Sequence, residues 1–245
     1  MTGWSTTPLD GVLLDIDDTL VDTHAAFASA LLVVARQYLP HLDETAKSQL
    51  VVRWRADPNG HYRRFTNGEV DYLTQRMDRA NDLHAEFGGP QMDRDEYVAW
   101  NTMFDEALAV AWTPHPDAGQ FLAGLADAGL PVGTVTNATV RYQVRKLAIC
   151  GLLDLPVLVG VDTLGVGKPD PRVFAEGCRL LGTDPARTLY VGDELYIDAV
   201  GARTAGLVAV WLDRPGIRRV PLRDAEIFEA GVVVAHTLAD LPAIL

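Results

Sequence analysis

The sequence has few of the features that mark secreted or membrane-bound proteins. It contains only two cysteines, Cys150 and Cys178, each in an apolar helical context, which we interpret as reduced core thiols rather than a disulfide or a catalytic pair. No apolar run approaches the roughly 20 residues that a membrane-spanning helix needs. Residues 1–11 contain no basic segment followed by an apolar stretch, so they predict no secretion signal. We therefore expect a cytoplasmic protein that has no membrane partner.

Basic residues are also in a minority. The chain has 21 Lys and Arg against 33 Asp and Glu, a net charge of -12, which disfavours nucleic acid polymers and anionic membranes as main partners. An anionic small molecule stays compatible, because the local charge in a cleft can oppose the overall charge. With 245 residues and 48% hydrophobic content, the chain is long enough for one large domain, or for a core domain with an insertion. We expect a monomer or a homodimer.

Short apolar runs alternate with helical patterns from about residue 111 onward. This alternation predicts an α/β fold with a doubly wound, mostly parallel, Rossmann-like sheet. A continuously apolar run at the N-terminus predicts one more strand, over 11–16, which belongs to the same sheet. The later apolar runs cover residues 130–136, 155–161, 188–193, 207–212 and 231–235.

Residues 24–111 differ from the rest, because they show one helical pattern after another and no convincing strand. This block falls between the first and the second strand. We therefore predict an α/β core domain formed by residues 1–23 and 112–245, with an all-helical cap domain inserted over 24–111.

One segment of the predicted cap, residues 53–69, is unusually rich in arginine and aromatic residues. A site for a second anionic group or a stacking base is one interpretation. The other, which we favour, is a solvated helix face with ordinary core aromatics. The residues concerned are Arg53, Arg55, Arg63, Arg64, Trp54, Tyr62 and Phe65.

Helix ends in the predicted core follow common capping patterns. Asp117 is placed to cap a helix that ends near Gly129, while Asp170 and Asp184 each precede a proline at a first helical position. Gly182 is placed to end the helix that begins after Asp170.

Polar residues cluster where the predicted strands end. Four aspartates, Asp15, Asp17, Asp18 and Asp22, lie at and just after the first strand. Packed like charges resist ionisation unless a positive group lies among them. Because ligands bind outside the carboxyl ends of strands in open α/β sheets, we expect the polar residues there to meet at one edge. They are Asp15, Asp17, Thr19, Thr136, Asn137, Lys168, Asp193, Glu194 and Asp198.

Four motifs carry these residues, and together they resemble the haloacid dehalogenase superfamily, specifically its phosphatase members with a helical cap after the first core strand. The motifs are "DIDDTL" at 15–20, "VTN" at 135–137, "GKPDP" at 167–171 and "VGDELYIDAVGA" at 191–202. An acidic hexamer alone would be a weak signal, but four motifs in order, each at a strand's carboxyl end, are a strong one.

The resemblance implies a Mg²⁺-dependent hydrolysis of a small phosphorylated metabolite. Asp15 would be the nucleophile that forms an aspartyl-phosphate, and Asp17 the general acid and base. Asp15, the backbone carbonyl of Asp17 and the carboxylate of Asp193 would hold Mg²⁺, which supplies the missing positive charge. From these roles we expect the pKa of Asp17 to lie above that of Asp15.

The same resemblance implies a binding site for the phosphoryl group. The Thr136 hydroxyl and the Asn137 backbone N–H would hold phosphoryl oxygens, and Lys168 would neutralise the charge that develops on them. Asp198 would orient Lys168 or a metal-bound water rather than bind the ion. Thr19, Glu194 and Asp198 would form the surrounding layer of supporting groups.

The sequence departs from the family pattern at two positions. Asp18 stands where many members have glycine, and aspartate tolerates tight turns, so we expect little effect. Ile197 replaces an asparagine that is common just before the last acid, which leaves the hydrogen bonding around that acid open.

Three alternative functions stay open on the sequence. A sugar phosphate phosphomutase shares nearly all these residues and differs in restraining hydrolysis of the intermediate. A haloacid dehalogenase uses the same nucleophile but needs neither a leaving-group acid nor a metal, so Asp17 speaks against it. A non-catalytic binding module is improbable because Asp15, Asp17, Lys168 and Asp193 are all present.

Overall fold

The computed structural model describes residues 8–66, 69–218 and 221–243. The chain splits into two compact units, one of Met1–Thr23 with Trp112–Leu245 and the other of His24–Ala111. Residues 1–7, which the secretion-signal prediction concerns, lie outside the described residues. Within the described ranges, no helix combines the length and the apolar character that crossing a bilayer requires.

The first unit contains a six-stranded sheet in which every pair of neighbouring strands is parallel. The strand order is β3-β2-β1-β4-β5-β6, which is the order of a doubly wound Rossmann-like fold. The predicted fold class is therefore confirmed. The strands are β1 (Gly11–Leu14), β2 (Val132–Val135), β3 (Val157–Val159), β4 (Thr188–Gly192), β5 (Val208–Leu212) and β6 (Val233–Ala235).

The central position of β1 explains its apolar sequence. All four of its residues are buried, and it pairs on one side with β2 and on the other with β4. The regular strand ends at Leu14, two residues before the predicted end, because the chain turns sharply there. Asp18 adopts a left-handed backbone conformation with φ of 56°, which aspartate tolerates.

The second unit is all helical and has an aromatic core. Trp100 stacks on Phe104 with ring centroids 5.2 Å apart, and Trp54 lies 6.1 Å from Trp100. The short third helix was not predicted. The helices are α1 (Thr23–Tyr38), α2 (Glu44–Ala56), α3 (His61–Thr66), α4 (Tyr72–Phe87) and α5 (Arg94–Ala111).

The arginine-rich segment lies largely on α2 and α3. Trp54 of this segment is buried in the aromatic core, whereas Arg53 forms an ion pair with Glu86. Trp54 is therefore a core aromatic, as the favoured interpretation holds. Residues 67 and 68 of the segment lie outside the described residues.

Among its described residues, the first unit has six further α-helices: α6 (Ala118–Asp127), α7 (Val140–Ile149), α8 (Val161–Leu164), α9 (Pro171–Leu181), α10 (Gly201–Thr204) and α11 (Asp224–Ala230). Helix α9 has the predicted ends. The Asp170 carboxylate accepts a hydrogen bond from the Arg172 N–H, and Gly182 ends the helix with φ of 77°.

One of the predicted caps was wrong. Asp117 makes no capping hydrogen bond to α6, because both its oxygens accept from the Arg214 guanidinium and one also accepts from the Leu238 N–H. Asp184 precedes a proline at a first helical position as predicted, and it caps the short 3₁₀ helix Pro185–Arg187. Arg214 is distant from Asp117 in sequence but close in space, and it binds the carboxylate that would otherwise cap α6. The local sequence pattern cannot predict such a partner.

The two cysteines differ in burial. Both are free thiols, and Cys178 is buried in the core while Cys150 is only half-buried at the end of α7. The prediction of two core thiols is therefore right for Cys178 only.

Candidate active site

Asp15 follows the central strand and is almost fully buried. Its backbone N–H donates to Val191 O at 2.9 Å, which fixes the chain between β1 and β4. Its side chain accepts a hydrogen bond from Lys168 Nζ at 2.6 Å. The carboxylate of Asp15 is thus held at the carboxyl end of the sheet against a single ammonium group.

Lys168 is the centre of a buried polar cluster. Its Nζ also donates to Asp198 Oδ1 at 2.6 Å and to the Tyr190 hydroxyl at 3.1 Å. The two neighbouring carboxylates raise the pKa of Lys168 well above its usual value even though burial lowers it. Lys168 is therefore a permanent positive charge beside Asp15.

Asp198 reaches this cluster because of an unusual local backbone. It lies on a π-helical turn, Leu195–Val200, directly after β4, and such turns are frequent at functional sites. A Cβ atom on Gly192 would come within 2.4 Å of Asp198 Cγ. Glycine at position 192 is therefore required for this close approach.

The Lys168 loop is braced by the side chain of Asn137. Asn137 Oδ1 accepts from the Lys168 N–H at 2.6 Å, and Asn137 Nδ2 donates to Lys168 O at 2.9 Å. The sequence assigned a role only to the Asn137 backbone. In the structure, its side chain positions Lys168.

Asp15, Asp193 and Asp198 form a group of acids in which one ligand oxygen from each lies within 4.8 Å of the others. Burial and the charges of Asp15 and Asp198 raise the pKa of Asp193 well above its usual value. Lys168 donates to two of these three carboxylates, those of Asp15 and Asp198, so the group carries more negative than positive charge and favours an added cation. An oxygen-only set suits a hard ion such as Mg²⁺. The residues therefore fit the metal that the resemblance implies.

Asp17 lies in a separate polar cluster that the sequence did not reveal. Its carboxylate forms an ion pair with Lys146 and accepts from Gln143 Nε2 at 2.6 Å and from the Thr23 hydroxyl at 2.6 Å. Lys146 is fully buried, and its Nζ lies 5.3 Å from the centre of the Trp112 ring. Asp17 keeps a third of its side-chain surface exposed, which leaves it accessible to a ligand.

The expected order of the two pKa values is wrong for this state of the protein. Burial raises the pKa of Asp15 to about 7, and the ammonium of Lys168 only partly offsets this. Burial also disfavours the charged form of Asp17, but the effects of Lys146 and of the hydrogen bonds from Thr23 and Gln143 are larger in sum, and they lower the pKa of Asp17 to about 2. Asp17 is thus ionised at neutral pH and Asp15 is partly protonated. The low pKa of Asp17 depends on the buried Lys146, which none of the four motifs includes.

Thr136 also belongs to the Asp17 cluster. It is buried, and its hydroxyl oxygen accepts from Gln143 Nε2 at 2.9 Å and from the Ala138 N–H at 3.2 Å. Gln143 thus joins Thr136 to Asp17 across 126 residues of sequence. The hydroxyl hydrogen of Thr136 is left for another acceptor.

The remaining predicted supporting residues lie near these clusters. Thr19 is fully buried, and its hydroxyl has no hydrogen-bond partner among the described residues. The Glu194 N–H donates to Asp198 Oδ2 at 3.0 Å. Glu194 thus positions Asp198 through its backbone.

Sequence reasoning missed Lys146, Gln143 and Tyr190. Tyr190 looked like a core aromatic within an apolar strand. Gln143 and Lys146 lie three residues apart on α7, a spacing that puts both on one helix face. The sequence signal was limited to this spacing on the helix that follows the "VTN" motif, which does not indicate Asp17 as the partner.

Removing the ammonium of Lys146 is expected to change the pH profile. In Lys146→Met the ammonium is lost, and only the hydrogen bonds from Thr23 and Gln143 still oppose the effect of burial, so the pKa of Asp17 rises from about 2. The acidic limb of kcat/KM against pH should move upward by at least about one pH unit. Lys47→Met, at a half-buried lysine of the helical unit that is paired with Glu44, is the matched control. Identical profiles for the two variants would contradict the role of Lys146.

Comparison with known proteins identifies the family to which the chain belongs. Residues 9–206 match the family described as haloacid dehalogenase-like hydrolase. The chain is 30% identical over 207 residues to the glyceraldehyde 3-phosphate phosphatase of Pyrococcus abyssi, covering 82% of this chain and 79% of that protein. A shorter match, 40% identical over 105 residues, covers 42% of this chain and 42% of the phosphoserine phosphatase of Thermus thermophilus.

A solved structure shows the same fold. The HAD-hydrolase YfnB from Bacillus subtilis aligns over 98% of this chain and 99% of its own, with a TM-score of 0.75 and 23% identity. The resemblance that the four motifs carry is confirmed by the family match and by the relatives. The chain therefore belongs to the haloacid dehalogenase-like hydrolases and is an enzyme of that family.

Proposed function

We propose that this protein is a Mg²⁺-dependent phosphatase that hydrolyses a small phosphorylated metabolite through an aspartyl-phosphate on Asp15. The observation that carries the proposal is the buried cluster in which Lys168 Nζ lies 2.6 Å from both Asp15 and Asp198. A nucleophilic carboxylate held beside a fixed positive charge suits attack on an anionic phosphoryl group. The phosphatase relatives support the same reaction class.

Each residue of the proposed site has a task in this reaction. The Asp15 carboxylate attacks phosphorus, and the bond to the leaving oxygen breaks. Lys168 balances the charge on the phosphoryl oxygens, and the Thr136 hydroxyl and the Asn137 N–H donate to them. Asp198 holds Lys168 in place.

Asp17 acts as the general acid and then as the general base. It protonates the leaving alkoxide and later takes a proton from the water that hydrolyses the aspartyl-phosphate. Its low pKa in the substrate-free protein suits the second task, because it is ionised and ready to accept. To protonate the leaving alkoxide, Asp17 must first gain a proton. A dianionic substrate that draws the Lys146 ammonium away from Asp17 would raise the pKa of Asp17 and so favour this protonation.

Mg²⁺ would be held by Asp15, Asp193 and the backbone carbonyl of Asp17. When bound, it supplies positive charge that keeps Asp15 ionised and that stabilises developing charge on phosphate oxygens. Asp198 accepts from both Lys168 and Tyr190, so we assign it to them rather than to the ion.

Phosphate release from a panel of phosphometabolites tests the proposal. The panel should hold nucleoside monophosphates, sugar phosphates and phosphoglycolate, together with an aryl phosphate. We expect release of inorganic phosphate with Mg²⁺ and loss of at least about 100-fold with excess EDTA, restored by added Mg²⁺. A sugar phosphate isomer in place of inorganic phosphate would indicate a phosphomutase instead. Full activity after metal removal would contradict the proposed metal dependence.

Mg²⁺ affinity should depend on pH. Asp15 in the metal-free protein titrates at about 7, and bound Mg²⁺ requires the ionised form, so binding releases a proton below that pH. We expect Kd to rise about tenfold for each pH unit below 7 and to level off above pH 8. Isothermal titration calorimetry in two buffers of different ionisation enthalpy measures both quantities. Equal Kd values at pH 6 and pH 8 would contradict this.

A further inference from the structure

A second group of metal-binding side chains lies beside the turn after β1. Asp18, Asp22 and His115 each offer one ligand atom, and these atoms lie within 4.8 Å of one another. Asp18 and Asp22 are half-buried and His115 is buried. The proposed phosphatase reaction uses none of these three side chains.

His115 provides an observation that is independent of the clustering, namely a buried ring nitrogen without a hydrogen-bond partner among the described residues. The residue is only 6% exposed, and its Nε2 has no hydrogen-bond partner among the described residues. An unsatisfied polar nitrogen in the interior is costly. A bound cation next to it would remove that cost.

The backbone around the group also holds the imidazole in place. A backbone hydrogen bond joins His115 to Asp18. Ligating histidines commonly hydrogen-bond the backbone through the ring nitrogen that does not bind the metal.

Two of the three side chains in the group are carboxylates, Asp18 and Asp22. Arg214 lies near His115, and its guanidinium forms a two-point pair with Asp117 at 2.8 and 2.9 Å.

The geometry points to a binding site for a divalent first-row transition metal ion held by Asp18, Asp22 and His115. One imidazole with two carboxylates suits Zn²⁺, Co²⁺ or Mn²⁺, whereas the oxygen-only acids around Asp15 suit Mg²⁺. Three protein ligands leave coordination positions for water or for a ligand. This site goes beyond the proposed phosphatase reaction and does not depend on it.

Titration with Co²⁺ in excess Mg²⁺ tests the site. The excess Mg²⁺ is expected to fill the oxygen-only acids, and the visible absorption of Co²⁺ then reports Co²⁺ that is bound elsewhere on the protein. We expect one Co²⁺ per chain in the wild-type protein and also in Asp193→Asn, in which the oxygen-only group is disabled. Elemental analysis after dialysis gives the stoichiometry.

Two variants remove ligands from the site. His115→Gln and Asp18→Gly are each expected to weaken Co²⁺ binding by at least about tenfold. Glycine suits position 18 because Asp18 has φ of 56°, so Asp18→Gly keeps the test valid if His115→Gln does not fold. His41→Gln, the same substitution at an exposed histidine of the helical unit, is the matched control and should bind as the wild type does.

Several results would overturn the inference. Complete displacement of Co²⁺ by Mg²⁺ would mean that no separate site exists. Co²⁺ that is lost in Asp193→Asn but retained in Asp18→Gly would belong to the acids around Asp15. Unchanged binding in folded His115→Gln would remove the histidine from the ligand set.

Discussion

Asp15→Asn is expected to reduce phosphate release by at least about 10⁴-fold in kcat/KM, because the amide has the same shape as the carboxylate but cannot attack phosphorus. The loss of phosphate release should appear for every substrate that the wild-type protein hydrolyses. Steady-state assays with Mg²⁺ measure it. Retained turnover would refute nucleophilic attack by Asp15.

The same variant should be more stable than the metal-free wild-type protein at pH 8. The pKa of Asp15 rises from 3.8 to about 7 on folding, so the folded state binds the proton more tightly than the unfolded state does. Stability is therefore lost as the pH rises from about 4 to about 7, and an asparagine avoids this loss.

We expect a gain on the order of 4 kcal/mol at pH 8 that vanishes near pH 4. Thermal denaturation in EDTA at both pH values checks it. A stable but inactive Asp15→Asn protein separates loss of chemistry from loss of folding, whereas equal stability at pH 8 would contradict the raised pKa.

Asp17→Asn is expected to slow turnover by about 10²–10⁴-fold while Mg²⁺ affinity stays within a few-fold of the wild type. The proposed metal ligand at this position is the backbone carbonyl, which the substitution keeps. An amide can neither protonate the leaving alkoxide nor accept a proton from water.

The leaving group distinguishes the two tasks of Asp17. An aryl phosphate needs little acid assistance, so its first step should survive in Asp17→Asn and the second should not. We expect a burst of phenol of about one equivalent per chain in rapid-mixing experiments, followed by slow turnover. Wild-type rates on alkyl phosphates would remove Asp17 from proton transfer.

Periodicity and strand-end chemistry were enough to predict the sheet. Strands with continuous apolar runs, such as β1, are recognisable because both their faces are covered. The positions of Asp15, Lys168 and Asp193 also follow, since parallel strands bring their carboxyl ends to one edge.

Contacts between side chains that are distant in sequence were not predictable. Lys146 and Asp17 are separated by 129 residues, and nothing in either local pattern indicates the other. Their ion pair reverses the expected order of the pKa values of Asp15 and Asp17. Asp117 illustrates the same limit, because Arg214 takes the carboxylate that local rules assign to a helix cap.

The Arg214 side chain joins three parts of the chain that are distant in sequence. Its guanidinium donates to Thr19 O at 2.9 Å, within the turn after β1, while Asp117 connects it to the Leu238 N–H. The segment around Leu238 thus helps to hold the turn after β1 in place. Substitutions that shift this segment would loosen the turn even though the sequence of the turn itself is unchanged.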